Sequence, residues 1–199
     1  MTAFRYAIAL TGSIATGKST VAQIFSEYGF EIIDADRVAH HALDTHTSKI
    51  AEIFGKTYIV NGKVDRKALG KLVFANAKKR QALESLLHPL IQSEITSQAK
   101  ALDRLEKPYL IDIPLFFELN RYPIKRSIVV YTPRQIQLER LMQRENYTQA
   151  EAQSRIDTQM DIEEKRTLAT WVIDNSGDRE TLEKECQRVQ NLILSQNKL

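Results

Sequence analysis

The chain has 199 residues, 43% of them hydrophobic and 27% charged, which is the size and composition of one globular domain with a core of its own. No apolar run approaches the roughly 20 residues that a membrane-spanning helix needs, so no membrane partner is expected. The 28 basic and 25 acidic side chains leave a formal charge of +3, mixed along the chain without a basic track, which suits small anionic substrates and excludes a nucleic-acid partner from the expectation.

Residues 6–11 (YAIALT) are an apolar run that reads as a strand and stops at Gly12. From about Gly17, Val21, Ile24, Phe25 and Tyr28 recur at helical spacing until Gly29 ends the helix. A second apolar run at 30–33 ends in Asp34-Ala35-Asp36, which sets two carboxylates at the C-terminal edge of a strand. Residues 38–107 then read mostly as helix and form the expected lobe; they are interrupted at 58–64, where Asn61-Gly62 between apolar pairs predicts a small hairpin. Strands are expected at 109–113, 127–131 and 171–173, with helices between them and a charged terminal helix carrying Cys186. The alternation predicts an α/β fold, single-domain over 1–199: a mainly parallel five-stranded sheet covered by helices on both faces, three layers in all, with ligands at the carboxyl ends of the strands.

Tyr6, Phe25, Phe30, Phe54 and Phe74 hold apolar positions and are expected in the core. Cys186 is expected as a surface or half-buried thiol without a role, since one cysteine supports no internal disulfide. The start at Met1 runs straight into the first strand pattern without an export signal, so the expected compartment is the cytoplasm.

Gly12-Ser13-Ile14-Ala15-Thr16-Gly17-Lys18-Ser19 satisfies the pattern G-x-x-x-x-G-K-[ST], and it lies where the pattern requires, between a strand and a helix. The glycines let the backbone curl so that successive N–H groups point at phosphate oxygens, and the N-terminus of the following helix adds its positive dipole. Lys18 would reach the β- and γ-phosphates of ATP. The Ser19 hydroxyl is a hard oxygen ligand of the kind Mg²⁺ takes, and Thr20 can support the same turn.

Such a loop serves switches, motors and kinases alike, so other residues must discriminate. Asp36, at the end of the strand run, reads either as the base for an acceptor hydroxyl or as the N-cap of the next helix, with Asp34 as its structural partner. Asp112 reads as a Mg²⁺ ligand through water or as a cap for the turn before Pro114, and the cap is favoured. Residues 133–166 carry Arg134, Arg140, Arg144, Arg155 and Arg166 among glutamates, a pattern fitting either an arginine-bearing lid or a salt-bridged solvated surface. His88-Pro89 reads as a bend in a helix or as a catalytic histidine, with the bend favoured. No Asn-Lys-x-Asp segment of a guanine-selecting switch is present.

Taken together, Leu10-Thr11-Gly12 with its loop, Ile33-Asp34-Ala35-Asp36, Val64-Asp65-Arg66 leading to Val73-Phe74, Leu86-Leu87-His88-Pro89-Leu90-Ile91, Pro114-Leu115-Phe116-Phe117-Glu118, Gln143-Arg144 and Val172-Ile173-Asp174-Asn175-Ser176-Gly177 closely resemble the dephospho-CoA kinase family over essentially the whole chain. The resemblance implies a P-loop kinase fold with a helical acceptor-binding lobe and a helical lid. It also implies transfer of phosphate from ATP, with Mg²⁺, to the ribose 3′-hydroxyl of dephospho-CoA. It makes Asp36 the base, has Lys18 and Arg144 stabilise the transferring phosphoryl group, and brings Asn175 and Gly177 to the adenine. Arg66, His88, Pro89, Leu115 and Glu118 become candidates for the acceptor site. The chain departs from the usual Gly-Gly-Ile-Gly-Ser-Gly-Lys of that family at Ser13, Ala15 and Thr16, and it has His40 where an arginine is usual.

Overall fold

The computed structural model describes residues 3–196; Met1, from which the export-signal reading starts, lies outside them. The described chain divides into two units, Asp34–Gln98 and the remainder.

The larger unit is built on a five-stranded sheet in the order β2-β5-β1-β6-β7, with β1 at Ala7–Gly12, β2 at Ile32–Asp34, β5 at Tyr109–Asp112, β6 at Arg126–Tyr131 and β7 at Trp171–Asp174. β1 pairs in parallel with β5, placing Leu10 beside Asp112, and with β6, placing Gly12 beside Val130; β6 pairs in parallel with β7. Every residue of β1 and of β5 is buried, as expected of strands with helices on both faces rather than one face in water. The expected α/β class and its five strands are therefore what the chain forms, with boundaries displaced by one or two residues.

Strand alternation distributes the β6 side chains between two cores. Ile128 and Val130 join Ile8, Leu10, Phe25 and Trp171 in a cluster closed by α1 (Lys18–Glu27) and α10 (Arg179–Gln196). Val129 and Tyr131 face the other way, against Ile162 of α9 (Ile162–Leu168) and Phe117 of α6 (Phe116–Leu119). Each large side chain buried in these clusters contributes about 1.5–3 kcal/mol relative to exposure. Cys186 belongs to the first cluster and is wholly buried, which corrects the surface reading: Leu182, Cys186, Val189 and Ile193 form the inward stripe of α10. α7 (Arg134–Glu145) and α8 (Gln149–Ile156) pack Leu138, Leu141, Ala152 and Ile156 against Ile14 and Ala15 of the glycine loop.

In the unit Asp34–Gln98, α2 (Ala35–Thr45), α3 (Thr47–Phe54) and α4 (Arg66–Ala75) surround a core of Ile50, Phe54, Val64 and Leu69. The predicted hairpin forms between β3 (Ile59–Val60) and β4 (Lys63–Val64), where Asn61 and Gly62 both take positive φ, 51° and 76°, as the tight hairpin turn demands. Phe74, expected in the core, is 81% exposed. Leu72 and Val73 take the inward side of α4, and one step of 100° carries Phe74 off that face. Helix α5 runs Ala77–Asp103 with Pro89 inside it. Among the described residues no helix is long and apolar enough to cross a membrane.

Candidate active site

The glycine loop leaves β1 at Gly12 and enters α1 at Lys18. Gly17 takes φ 85°, ψ 20°, and a Cβ there would collide with Asn175 Nδ2. At Gly12 a Cβ would stand 2.7 Å from Thr16 Oγ1 and 3.0 Å from the Val130 carbonyl. Both positions therefore require glycine on steric grounds. Ala15 holds φ 62°, a left-handed conformation that a side chain adopts at some cost. Gly17 puts no side-chain cap on α1, and the first turn of that helix carries no acid, so its amide donors and dipole are turned toward an anion.

Side chains from elsewhere hold the loop in this shape. The Thr16 carbonyl accepts from Asn175 Nδ2 at 2.8 Å and from Thr132 Oγ1 at 3.2 Å, while Thr16 Oγ1 donates to the Ser13 carbonyl at 2.9 Å. The Ile14 N–H donates to Gln159 Oε1 at 2.8 Å. Lys165 Nζ donates to the Gly12 carbonyl at 3.1 Å and pairs with Glu118 at 2.8 Å. Burial pushes the Lys165 ammonium below the ordinary lysine range, Glu118 pulls it back up, and the charge of Lys18 lowers it again.

Lys18 forms an ion pair with Asp112 at the end of β5. The Asp112 carboxylate thus faces the loop lysine, a consequence of the register that sets it beside Leu10. Ser19 and Thr20 lie in the first turn of α1, Ser19 exposed. Asn175 is buried beyond β7 with its amide engaged on the loop, and Gly177 is exposed just after it.

The arginines separate in their surroundings. Arg144, expected at the transferring phosphate, ends α7 with its side chain 58% exposed and paired to the adjacent Glu145. Arg140, one turn earlier, reaches Thr132 Oγ1 at 3.4 Å, the hydroxyl that also holds Thr16. Arg134 pairs with Asp157, and Arg166 lies 4.7 Å over the Tyr131 ring.

In the other unit, Asp34 caps α2 by accepting the Arg37 N–H at 2.9 Å. Asp36 sits exposed in the first turn of that helix, so the capping role considered for it falls to Asp34. Arg66 opens α4, with Asp65 as its cap, and is exposed. His88 is half-buried and Pro89 exposed within α5. Back in the larger unit, Leu115 precedes α6 at its N-cap, and Glu118 lies in that helix.

Thr132, Gln159 and Lys165 were not legible as loop-holding residues in the sequence. None belongs to a motif, and each acts through a partner more than a hundred positions away.

The family model described as dephospho-CoA kinase matches residues 6–181. The chain belongs to the dephospho-CoA kinase family. A dephospho-CoA kinase of Sulfurimonas denitrificans is 50% identical over 185 residues, covering 93% of this chain and 92% of the relative. Among solved structures, a dephospho-CoA kinase from Campylobacter jejuni superposes with TM-score 0.71 at 37% identity, covering 94% of this chain and 97% of the other. A Thermus thermophilus protein, TT1252, superposes with TM-score 0.78 at 34% identity, covering 94% and 96%. As a member of the dephospho-CoA kinases the chain is a phosphotransferase of coenzyme A biosynthesis, with ATP as the co-substrate and dephospho-CoA as the acceptor that the family implies.

Proposed function

We propose that this chain transfers the γ-phosphoryl group of ATP to the ribose 3′-hydroxyl of dephospho-CoA, releasing coenzyme A and ADP, in the cytoplasm. The observation that carries the proposal is the formed cradle: a glycine loop held at Gly12, Ile14 and Thr16 by side chains from outside it, opening onto the uncapped start of α1. In this reading Gly12, Ser13, Ile14, Ala15, Thr16, Gly17, Ser19 and Thr20 wrap the phosphates, and Lys18 exchanges Asp112 for them. Asn175 fixes the loop while its neighbour Gly177 lies against the adenine.

Asp36 takes the proton of the acceptor hydroxyl as its oxygen attacks the γ-phosphorus and the bond to the β–γ bridging oxygen breaks. A base so placed contributes about 10²–10⁴ in rate, roughly 3–5 kcal/mol of barrier. Its release from capping, which Asp34 performs, supports that role. Residues 133–166 act as the lid. Within it Arg144, together with Lys18, stabilises the transferring phosphoryl group on lid closure, while Arg140 contacts the Thr132 hydroxyl. Residues 38–107 form the acceptor-binding lobe with Arg66, His88 and Pro89, and Leu115 shapes the acceptor site from before α6. Glu118 serves it indirectly, through Lys165.

The oxygen donors at hand, the Ser19 hydroxyl and the Asp112 carboxylate, are of the chemistry that suits Mg²⁺. That ion, when bound, neutralises charge on the phosphate oxygens.

The test is incubation with ATP, Mg²⁺ and dephospho-CoA, followed by mass detection of products. Coenzyme A and ADP should appear in equal amounts, and Lys18→Ala should abolish both while keeping the fold. ATP binding without acceptor-dependent ADP, or full activity in Lys18→Ala, overturns the assignment.

A further inference from the structure

A buried ammonium stands outside the chemistry just described. Lys165 is 0% exposed, and its Nζ meets three acceptors: Glu118 Oε1 at 2.8 Å, the Gly12 carbonyl at 3.1 Å and the Pro114 carbonyl at 3.3 Å. Three donors match three acceptors, and these come from the first residue of the glycine loop, the turn after β5, and α6. The same Glu118 oxygen accepts the Met160 N–H at 3.1 Å, and the preceding residue, Gln159, holds the Ile14 N–H. Residues 159–165 thus grip the loop at Gly12 and at Ile14. An apolar side chain would fill this space without the desolvation of a charge, but it would not fix two carbonyls and a carboxylate at once.

We propose that Lys165 is a positioning residue for the phosphate loop, acting with Glu118 to orient the peptide between Gly12 and Ser13. The Gly12 C=O and the Ser13 N–H belong to one planar trans peptide and point in opposite directions. Anchoring that carbonyl on Lys165 therefore sets where the Ser13 amide points, on the side where the nucleotide is read to bind. The inference rests on the reading of Gly12-to-Ser19 as the ATP site. Lys165 touches neither substrate; it acts through the backbone of the loop.

Lys165→Met alone would leave the half-buried Glu118 without its counter-charge, so the decisive protein is the double variant Lys165→Met with Glu118→Gln. That variant has no stranded charge and keeps an acceptor for the Met160 N–H. ATP affinity, measured by calorimetric titration with Mg²⁺, should fall about tenfold, the scale of one lost charged hydrogen bond. KM for ATP should rise in parallel, and by more than KM for dephospho-CoA, whose site Glu118 serves only indirectly. A folded double variant with wild-type ATP affinity overturns the proposal. Should it not fold, Glu118→Gln alone carries the test: a loss of about threefold or more in ATP affinity supports the proposal, and no loss overturns it. Lys18→Ala, titrated alongside, separates the two failures. Unchanged ATP affinity there overturns the phosphate-loop reading and the proposal with it, whereas loss there without loss in the Lys165 variants overturns the proposal alone.

Discussion

Lys18, at the start of α1, and Asp112, at the end of β5, form an ion pair whose side chains are only 16% and 12% exposed. In the proposed function the carboxylate holds the place that a phosphate takes beside the lysine. Asp112→Asn should therefore destabilise the ligand-free protein by about 2 kcal/mol, less than a fully buried pair would lose. Added ATP supplies the missing negative charge, so the nucleotide should raise the melting temperature more in the variant than in the wild type. Equal shifts in thermal melts of the two proteins would refute the exchange.

The two aspartates at the end of β2 and the start of α2 should separate cleanly. Asp34 accepts the Arg37 N–H, so Asp34→Ala should lose about 1 kcal/mol of stability in denaturant titration. Asp36 sits exposed in the first helical turn, so Asp36→Asn should leave the denaturation midpoint nearly unchanged. Its turnover with dephospho-CoA should drop by about 10²–10⁴ with ATP affinity kept.

Ala15 carries a left-handed φ of 62° in the glycine loop. Glycine adopts that conformation freely and a β-branched residue does so worst. Ala15→Gly should stay within about 1 kcal/mol of wild type, lost methyl packing offsetting relieved strain. Ala15→Val should lose about 2 kcal/mol or more. Similar melting curves for the two variants would contradict the backbone assignment.

Cys186 should make stability depend on alkaline pH. Burial, followed by the charge of Glu185, pushes its thiol from 9.0 up to about 12. The unfolded chain therefore loses this proton near pH 9 while the folded chain keeps it. The stabilisation is complete below pH 9 and is lost as pH rises toward 12, at up to about 1.4 kcal/mol per pH unit. In urea titrations at pH 8 and pH 10, the advantage of wild type over Cys186→Ala should shrink at the higher pH. An advantage independent of pH would place the thiol in contact with water.

Much of the fold was legible because its signals are local. The β1 run, the glycine loop and the Asn61-Gly62 turn each lie within a few residues, and each formed where expected. Phe74 was misread because a short amphipathic helix tolerates an apolar residue just past its inward stripe. Cys186 was misread because charged neighbours on α10 masked a stripe of four inward positions. The partner of Asp112 was hidden for a different reason: parallel register brings together residues 94 positions apart. Lys165 gave no signal at all, since a lysine among glutamates and arginines reads as solvated until the chain folds over it.

Thr16 offers one carbonyl to two donors, Thr132 and Asn175, both from outside the loop. Under the proposed function, a loop already shaped by these bonds admits ATP without first visiting a rare competent state, so capture escapes the population tax that such a visit imposes. The rate of encounter is then set by diffusion and by the attraction of the α1 N-terminus and Lys18 for a polyanion, and it should slow steadily as ionic strength rises.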